Sequence, residues 1–175
     1  SFSSDGQYIV TGGDNTARVW EARNGEVLVV LRGHKGQVQN AHFSPDGRWV
    51  ATASADGTAR LWAVDVERSP LELTDPATST WDVAYSPDGR RVAGAMLDGT
   101  ARLWDTANGK AIGPPLKHRR RVTAVAFSPD GQTVISGSAE GDLILWDVAT
   151  GEEIRRFEGH SEDVRHVDIS PDGTL

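Results

Sequence analysis

Residues 43–47 read FSPDG, and this stretch returns every 42 residues, as YSPDG from 85, FSPDG from 127 and ISPDG from 169, while a looser copy, FSSDG, starts at 2. Tryptophans recur at the same interval, at positions 20, 62, 104 and 146. A fixed period of this length indicates a repeat architecture in which each repeat is one structural unit. The 175 residues therefore correspond to four repeats and the beginning of a fifth.

Each repeat predicts a meander of four short β-strands. The fourth repeat divides into VTAVAFSPDG, QTVISGSAEG, DLILWDVATG and EEIRRFEGH, which are rich in β-branched and aromatic residues and are separated by turn signals. In SPDG the proline presets φ and the glycine closes a tight turn, while ADGT and LDGT supply the Asp-Gly pair that short hairpins favour. The strand segments hardly alternate between polar and apolar residues, so we expect burial on both faces. Small four-stranded sheets stacked radially are β-propeller blades.

The prolines indicate which strand of each blade lies outermost. Proline cannot donate to a strand ladder and is confined to edges and turns. All eight prolines fit one phase: four lie in SPDG turns (Pro45, Pro87, Pro129, Pro171) and four lie in or beside the fourth strand (Pro70, Pro76, Pro114, Pro115). The fourth strand is therefore the predicted outer edge, and the first strand lines the central axis.

The predicted fold class is an all-β propeller of four-stranded antiparallel blades. We place the repeats at approximately 1–36, 37–78, 79–120 and 121–162, with the first strand of a further blade at 163–175. Propellers close with about four to eight blades, and we expect this segment to belong to a larger ring of seven or eight.

These residues resemble the WD-repeat family of β-propellers over essentially the whole chain. The Gly-His opener of that family is matched by Gly33-His34 and Gly159-His160, its Asp-Gly turn by Asp56-Gly57 and Asp98-Gly99, and its Trp-Asp ending by Trp104-Asp105 and Trp146-Asp147. Several such matches at constant spacing are specific, whereas one alone would be weak.

The resemblance implies a hydrogen-bonded structural network of histidine, hydroxyl, carboxylate and tryptophan in each well-matched blade. The second repeat supplies His34, Thr52, Asp56 and Trp62, and the fourth supplies His118, Ser136, Glu140 and Trp146, with glutamate in place of aspartate. The third repeat has Pro76 at the histidine position and Gly94 at the hydroxyl position, so its network should not form and its blade should be the least rigid. The first repeat retains Thr11, Asp14 and Trp20 without a histidine.

The resemblance also implies where a protein partner would bind. In similar proteins the contacts concentrate at the start of the innermost strand and just before the hairpin aspartate. The corresponding positions are Gln37, Gln39 and Ala55; Ser79, Trp81 and Leu97; Arg121, Thr123 and Ala139; and Asp163 with Arg165. Trp81, beside Leu97 and near Arg121, has the aromatic anchor chemistry that dominates interface energies. The alternative is that Trp81 merely packs against the loop containing Pro76.

Composition narrows the classes of partner. A net charge of -7 disfavours attraction to nucleic acid or anionic lipid, and no apolar run approaches the roughly 18 residues of a membrane span. The absence of cysteine excludes disulfides and thiolate metal sites and fits a cytoplasmic location. The one basic run, residues 117–121, reads KHRRR. We interpret it as a solvated loop that contacts an acidic partner, in preference to a nucleic-acid site.

Catalytic and metal-binding interpretations are less favoured. His34, Thr52 and Asp56 resemble a hydrolytic triad, but a set that recurs blade by blade with a tryptophan is typical of a structural network. No metal ion or cofactor is expected, because one carboxylate per SPDG turn falls short of the ligands that calcium needs. A propeller enzyme would need clustered groups on the innermost strands, where the candidates Asp82, His42, Asp163, His166 and Asp168 form no coherent set.

The sequence therefore predicts a protein-interaction scaffold or sensor module without chemistry of its own. A channel enzyme and a purely structural repeat segment are the alternatives. Similar repeats are attached in bacteria to kinases, nucleotide-hydrolysing switches or proteases, which suggests a regulatory setting. Because the first and last turns are copies of one motif, we expect a segment of a longer array. Alternatively, a homodimer would close eight blades if DVRHVDI of each chain completed the first blade of the other.

Overall fold

The structure is a computed structural model that describes residues 1–64, 69–73 and 79–173. These residues form strands and turns, and no helix lies among them. None of the described residues therefore belongs to a helix with the length and apolarity that a membrane crossing requires. The strands are β1 (Tyr8–Gly13), β2 (Thr16–Glu21), β3 (Val27–Arg32), β4 (Val38–Phe43), β5 (Trp49–Ser54), β6 (Ala59–Ala63), β7 (Leu71–Leu73), β8 (Thr80–Tyr85), β9 (Arg91–Met96), β10 (Thr100–Asp105), β11 (Ala111–Lys117), β12 (Val122–Phe127), β13 (Thr133–Ser138), β14 (Leu143–Asp147) and β15 (Glu153–Phe157).

The strands form four antiparallel meanders, which confirms the predicted blade architecture. Blade 1 contains β1 to β3, blade 2 contains β4 to β7, blade 3 contains β8 to β11, and blade 4 contains β12 to β15. Blade 1 has three strands, and the place of its innermost strand is taken only by a bridge between Phe2 and Ile9. The first strand of one blade lies beside that of the next, with β4 next to β8 and β8 next to β12. These strands line the axis, as predicted.

The outermost strand of blade 3 contains two prolines at an interruption of its ladder. Residues Ala101 and Leu103 of β10 pair with Leu116 and Ile112 of β11, so the register shifts between them across Pro114 and Pro115. This edge position accommodates residues that lack a backbone donor. Pro76 lies outside the described residues.

The SPDG turns that begin at Ser44, Ser86 and Ser128 have the same internal bonding. In blade 3 the Gly89 N–H donates to the Ser86 carbonyl at 2.9 Å, and the Ser86 hydroxyl donates to the Asp88 carboxylate at 2.6 Å. Gly89 has a φ of 69°, a left-handed conformation that favours glycine. A Cβ at this glycine would lie 3.6 Å from Cδ of Pro45 in the preceding turn. The motif therefore recurs because each turn closes its own hairpin, and the turns at Gly89 and Gly131 also lie against the turn before them.

The core lies between the blades. The middle strands β5, β9 and β13 are buried at five consecutive residues each, so both of their faces are covered. Between blades 3 and 4, for example, Leu103 and Leu116 pack with Val125 and Trp146. This two-sided burial explains the absence of alternation in the sequence.

Residues 163–173 have no ladder partner among the described residues and form no strand. Their apolar side chains Val164, Val167 and Ile169 are nevertheless buried against Ala124 and Ile135 of blade 4. The Val164 N–H donates to the Ser138 carbonyl at 3.0 Å. The segment expected to begin a further blade is thus held by side-chain packing, without the pairing that a strand requires.

Candidate partner-binding face

The structure brings together the four side chains of the predicted network in blade 2. The Thr52 hydroxyl lies 2.7 Å from His34 Nε2 and accepts a hydrogen bond from Trp62 Nε1 at 2.9 Å, while His34 Nδ1 lies 2.9 Å from the Asp56 carboxylate. The rings of His34 and Trp62 meet edge to face at 5.7 Å. A neutral imidazole with its hydrogen on Nδ1 satisfies all of these groups.

The electrostatics of this network keep the histidine neutral and the aspartate ionised. Burial lowers the pKa of His34, although Asp56 opposes that shift. Burial alone would raise the pKa of Asp56, but hydrogen bonds from Thr58, the Lys35 main chain and His34 hold that pKa well below its usual range. Thr52 is fully buried beneath the indole, so no substrate reaches its hydroxyl. The set resembles a triad in composition only, because it joins strands and presents no nucleophile.

Blade 4 forms only part of the corresponding network. The Ser136 hydroxyl lies 2.6 Å from His118 Nε2 and accepts from Trp146 Nε1 at 2.7 Å. The prediction that Glu140 completes the set is wrong, because its carboxylate accepts from Arg120 Nε at 2.7 Å instead. The longer side chain carries the carboxylate to an exposed guanidinium, and His118 Nδ1 is buried without a hydrogen-bond partner. Burial lowers the pKa of His118 to about 4, so the imidazole is neutral.

Blades 1 and 3 hold their tryptophans differently. In blade 1 Trp20 Nε1 donates to the Thr11 hydroxyl at 2.8 Å. In blade 3 Trp104 is fully buried, yet its Nε1 has no partner. A Cβ on Gly94 would lie 2.7 Å from Cζ3 of Trp104, so the indole occupies the space of the missing hydroxyl side chain. Reduced rigidity of blade 3 stays a prediction.

The predicted partner positions lie on one face of the propeller. This face carries the hairpins between the second and third strands and the loops that join successive blades, and we call it the inter-blade face. In each of blades 2 to 4, one main-chain hydrogen bond ties the hairpin to the start of the innermost strand. The N–H of the residue before the hairpin aspartate position donates to the carbonyl of the residue that precedes the strand. The bonds run from Ala55 to Gln37 at 2.9 Å, from Leu97 to Ser79 at 3.0 Å, and from Ala139 to Arg121 at 3.1 Å. The Ser79 hydroxyl also donates to the Ala55 carbonyl of the neighbouring blade at 3.0 Å.

Most of the predicted partner residues are accessible on the inter-blade face. Gln37, Arg121 and Arg165 are exposed, Gln39 and Leu97 are half-buried, and Trp81 is 44% exposed. Trp81 and Gln39 are the residues at which the ladder between the first and second strands shifts register. Partner contact by these six residues stays a prediction.

Thr123 does not belong to that surface. It is only 5% exposed, and its hydroxyl lies 2.5 Å from the Val164 carbonyl and 3.1 Å from the Gly137 carbonyl. Its place at the register shift of blade 4 matches that of Trp81 in blade 3. The packing of residues 163–173 against blade 4 covers it, so Thr123 links two segments and is not exposed on the inter-blade face.

A shallow cavity lies on the inter-blade face between blades 3 and 4. It has a volume of about 480 Å³ and is lined by Leu97, Arg120, Arg121, Ala139 and Glu140. Arg121 Nη2 donates to the Asp163 carboxylate at 2.9 Å. Arg120 belongs to the basic run 117–121 that was predicted to contact an acidic partner, whereas Glu140 was predicted only as a member of the structural network.

The buried carboxylate of Asp82 joins the innermost strands of three blades. Asp82 on β8 accepts hydrogen bonds from Asn40 Nδ2 on β4, from its neighbour Val83 N at 2.9 Å, and from Val125 N on β12 at 3.1 Å. Burial raises the pKa of Asp82 to about 6, against the effect of these donors. No feature of the sequence indicated this link, because the three strands are separated by about one repeat each.

The remaining axial candidates do not converge on Asp82 as metal ligands. Burial lowers the pKa of His42 to about 4. Asp163 pairs with Arg121, and Asp168 accepts from the main chain of Ile169. Within residues 1–64, 69–73 and 79–173, no group of three or more histidine or acidic side chains is placed to hold a metal ion.

Comparison with known families matches these repeats along the chain. The family model described as "WD domain, G-beta repeat" matches residues 1–21, 25–63, 71–105, 115–147 and 151–175. The chain belongs to the WD-repeat family. The WD-repeat units of the family model are offset from the blades by one strand. The match at residues 25–63 contains β3 to β6, and the match at residues 71–105 contains β7 to β10. Each of these units therefore joins the outermost strand of one blade to the first three strands of the next, and so interlocks the two blades.

Relatives of this WD-repeat chain are similar over about one repeat. A subunit of chromatin assembly factor 1 from Gallus gallus is 38% identical over 56 residues, which is 31% of this chain and 10% of that protein. Ribosome assembly protein 4 of Chaetomium thermophilum is 44% identical over 43 residues, 24% of this chain and 8% of that protein. A WD repeat-containing protein of Synechocystis is 38% identical over 56 residues, 31% of this chain and 16% of that protein. Each match covers a small part of the relative's length.

Proposed function

We propose that this WD-repeat chain is a protein-interaction scaffold whose partner binds on the inter-blade face. The observation that carries the proposal is the exposure of Trp81, which presents 44% of its surface while Trp62, Trp104 and Trp146 are buried in their blades. Exposed aromatic side chains ringed by polar groups are typical anchors of protein interfaces. Family membership supports a scaffold in general, because WD repeats mediate protein interactions.

The geometry of the face also supports binding by side chains that differ from blade to blade. Gln37, Ser79 and Arg121 begin three successive blades with the same backbone bond but carry different side chains. Variation on a constant scaffold is how repeat proteins build binding surfaces. The relatives named for chromatin assembly and ribosome assembly fit a class of proteins that work in complexes, although only about one repeat is shared.

Replacing Trp81 with alanine is expected to abolish partner binding without unfolding the chain. We would select peptides that bind the wild-type chain from a random display library and measure their affinity for each variant. Loss of an interface anchor worth more than 2 kcal/mol lowers affinity by about 30-fold or more. The free energy of unfolding should change by less than about 1 kcal/mol, since the side chain is largely exposed.

Leu28→Ala is the matched control, because Leu28 is 49% exposed and lies on the outermost strand of blade 1, away from the inter-blade face. Its peptide affinities should equal those of the wild type. If Trp81→Ala destabilises the fold by about 2 kcal/mol or more, Trp81 is a packing residue and the proposal loses its anchor.

Completion of the ring is a second part of the proposal. Among the described residues, no innermost strand pairs with the free edge of β1 at residues 11–13. Residues 163–169 correspond in the repeat to an innermost strand, but they have no ladder partner. We propose that such a segment pairs with this edge, from a second copy when the 175 residues stand alone. Light scattering should then give a dimer of twice 18.8 kDa. A monodisperse monomer across a range of concentrations would contradict pairing between copies.

A further inference from the structure

Positive charge is concentrated at one place on the inter-blade face. Lys117, Arg119, Arg120 and Arg121 are exposed within five consecutive residues, in a chain whose net charge is -7. His118 between them points inward to Ser136 and is neutral. Two carboxylates, Glu140 and Asp163, contact the arginines. The run therefore keeps an excess of positive charge over its in-chain partners.

The adjacent cavity is lined by both apolar and charged side chains. Leu97 of blade 3 and Ala139 of blade 4 line it together with Arg120, Arg121 and Glu140. Its volume of about 480 Å³ lies in the range of ligand-binding clefts. This mixture of apolar and cationic groups suits a peptide that carries both apolar and acidic side chains.

The carboxylate of Glu140 is held less firmly than that of Asp56, which occupies the equivalent position in blade 2. Asp56 is held by His34, the Lys35 main chain and Thr58. The Glu140 carboxylate instead pairs with Arg120, and the two side chains are 41% and 69% exposed. Exposed ion pairs of this kind contribute about 0 to 1 kcal/mol. Another carboxylate can therefore replace Glu140 at little cost.

We propose that the groove formed by Leu97, Arg120, Arg121 and Ala139 binds an acidic peptide segment, and that Glu140 is the in-chain carboxylate which that segment displaces. This inference rests on the proposed function and names the chemistry of the partner at the same face. The arginines already seat carboxylates at 2.7 and 2.9 Å. A peptide brings a few carboxylates to these positions, whereas a nucleic acid brings a continuous negative backbone against a chain of charge -7.

The test uses a fluorescein-labelled hexaglutamate peptide and fluorescence anisotropy at low salt. Glu140→Gln keeps the side-chain volume and removes the competing carboxylate, so the affinity should rise by about 2- to 5-fold. Replacing both Arg120 and Arg121 with glutamine should lower it at least about 10-fold. Arg90→Gln is the matched control, since Arg90 is exposed on the opposite face beside an SPDG turn. Its affinity should stay within about twofold of the wild type.

Three results would overturn the inference. Unchanged hexaglutamate binding in both the Glu140 and the double arginine variants would show that the groove does not take carboxylates. Binding of a labelled decathymidylate as tight as that of hexaglutamate would favour a nucleic-acid surface instead. The displayed peptides whose affinity depends on Trp81 offer a further check. If their affinity does not change when Arg120 and Arg121 are replaced, the scaffold function is supported and only the acidic partner is contradicted.

Discussion

Trp62→Ala is expected to lower the free energy of unfolding by about 3 to 5 kcal/mol, the range for truncation of a large buried side chain. Trp62 is 5% exposed and packs with Val50 and Phe43 between blades 1 and 2. Its removal also leaves the Thr52 hydroxyl and the edge of His34 without their indole contacts. Urea denaturation followed by circular dichroism measures the change.

The control for this variant is Trp81→Ala, which removes the same side chain from an exposed site. We expect a loss of less than about 1 kcal/mol there. A loss of less than about 1 kcal/mol for Trp62→Ala as well would mean that the indole of blade 2 is not packed between blades. The assignment of Trp62 to an inter-blade core would then be wrong.

The second large effect concerns the pH dependence of stability through Asp82. Its pKa in the folded protein is raised to about 6 from an ordinary value of 3.8. The folded protein therefore holds this proton more tightly than the unfolded chain does. Linkage then requires the free energy of unfolding to fall as the pH rises from about 4 to about 6, and the penalty is fully present above that window. This difference between the folded and the ordinary pKa corresponds to roughly 3 kcal/mol.

Comparison of the wild type with Asp82→Asn isolates this carboxylate, because asparagine keeps its shape and does not ionise. The free energy of unfolding of the wild type, relative to the variant, should fall by up to roughly 3 kcal/mol between pH 4 and pH 7. The charge of His166 opposes part of the upward shift in the pKa of Asp82, so its effect is included in this difference.

Asp88→Asn provides a control at a carboxyl whose pKa is shifted in the opposite direction. A hydrogen bond from Ser86 lowers the pKa of Asp88, so this carboxyl titrates below the window in which Asp82 does. The difference between wild type and Asp88→Asn should therefore be nearly constant from pH 5 to pH 7. A constant difference for Asp82→Asn over the same range would show that the axis does not desolvate Asp82.

The sequence by itself determined the architecture of each blade. Its period of 42 residues set the phase of strands and turns, and the SPDG glycines and the edge prolines are residues whose backbone restrictions act locally. The absence of alternation in WVATAS and VTAVAF indicated two-sided burial, because the side chains of a strand point alternately to its two faces. These inferences need only the chain's own neighbours along a strand or across one hairpin.

Only the tertiary structure decided which side chains meet between blades. Asp82 bonds to Asn40 and Val125, and Arg121 to Asp163, across about one full repeat. Such contacts depend on how neighbouring blades are stacked and on the reach of each side chain, which the repeat pattern does not encode. Glu140 is one methylene longer than Asp56, the residue at the equivalent position in blade 2. Glu140 accepts a hydrogen bond from Arg120, whereas Asp56 bonds to His34. Likewise Thr123 shares a repeat position with Trp81, yet it is buried because residues 163–173 pack over it while Trp81 stays exposed.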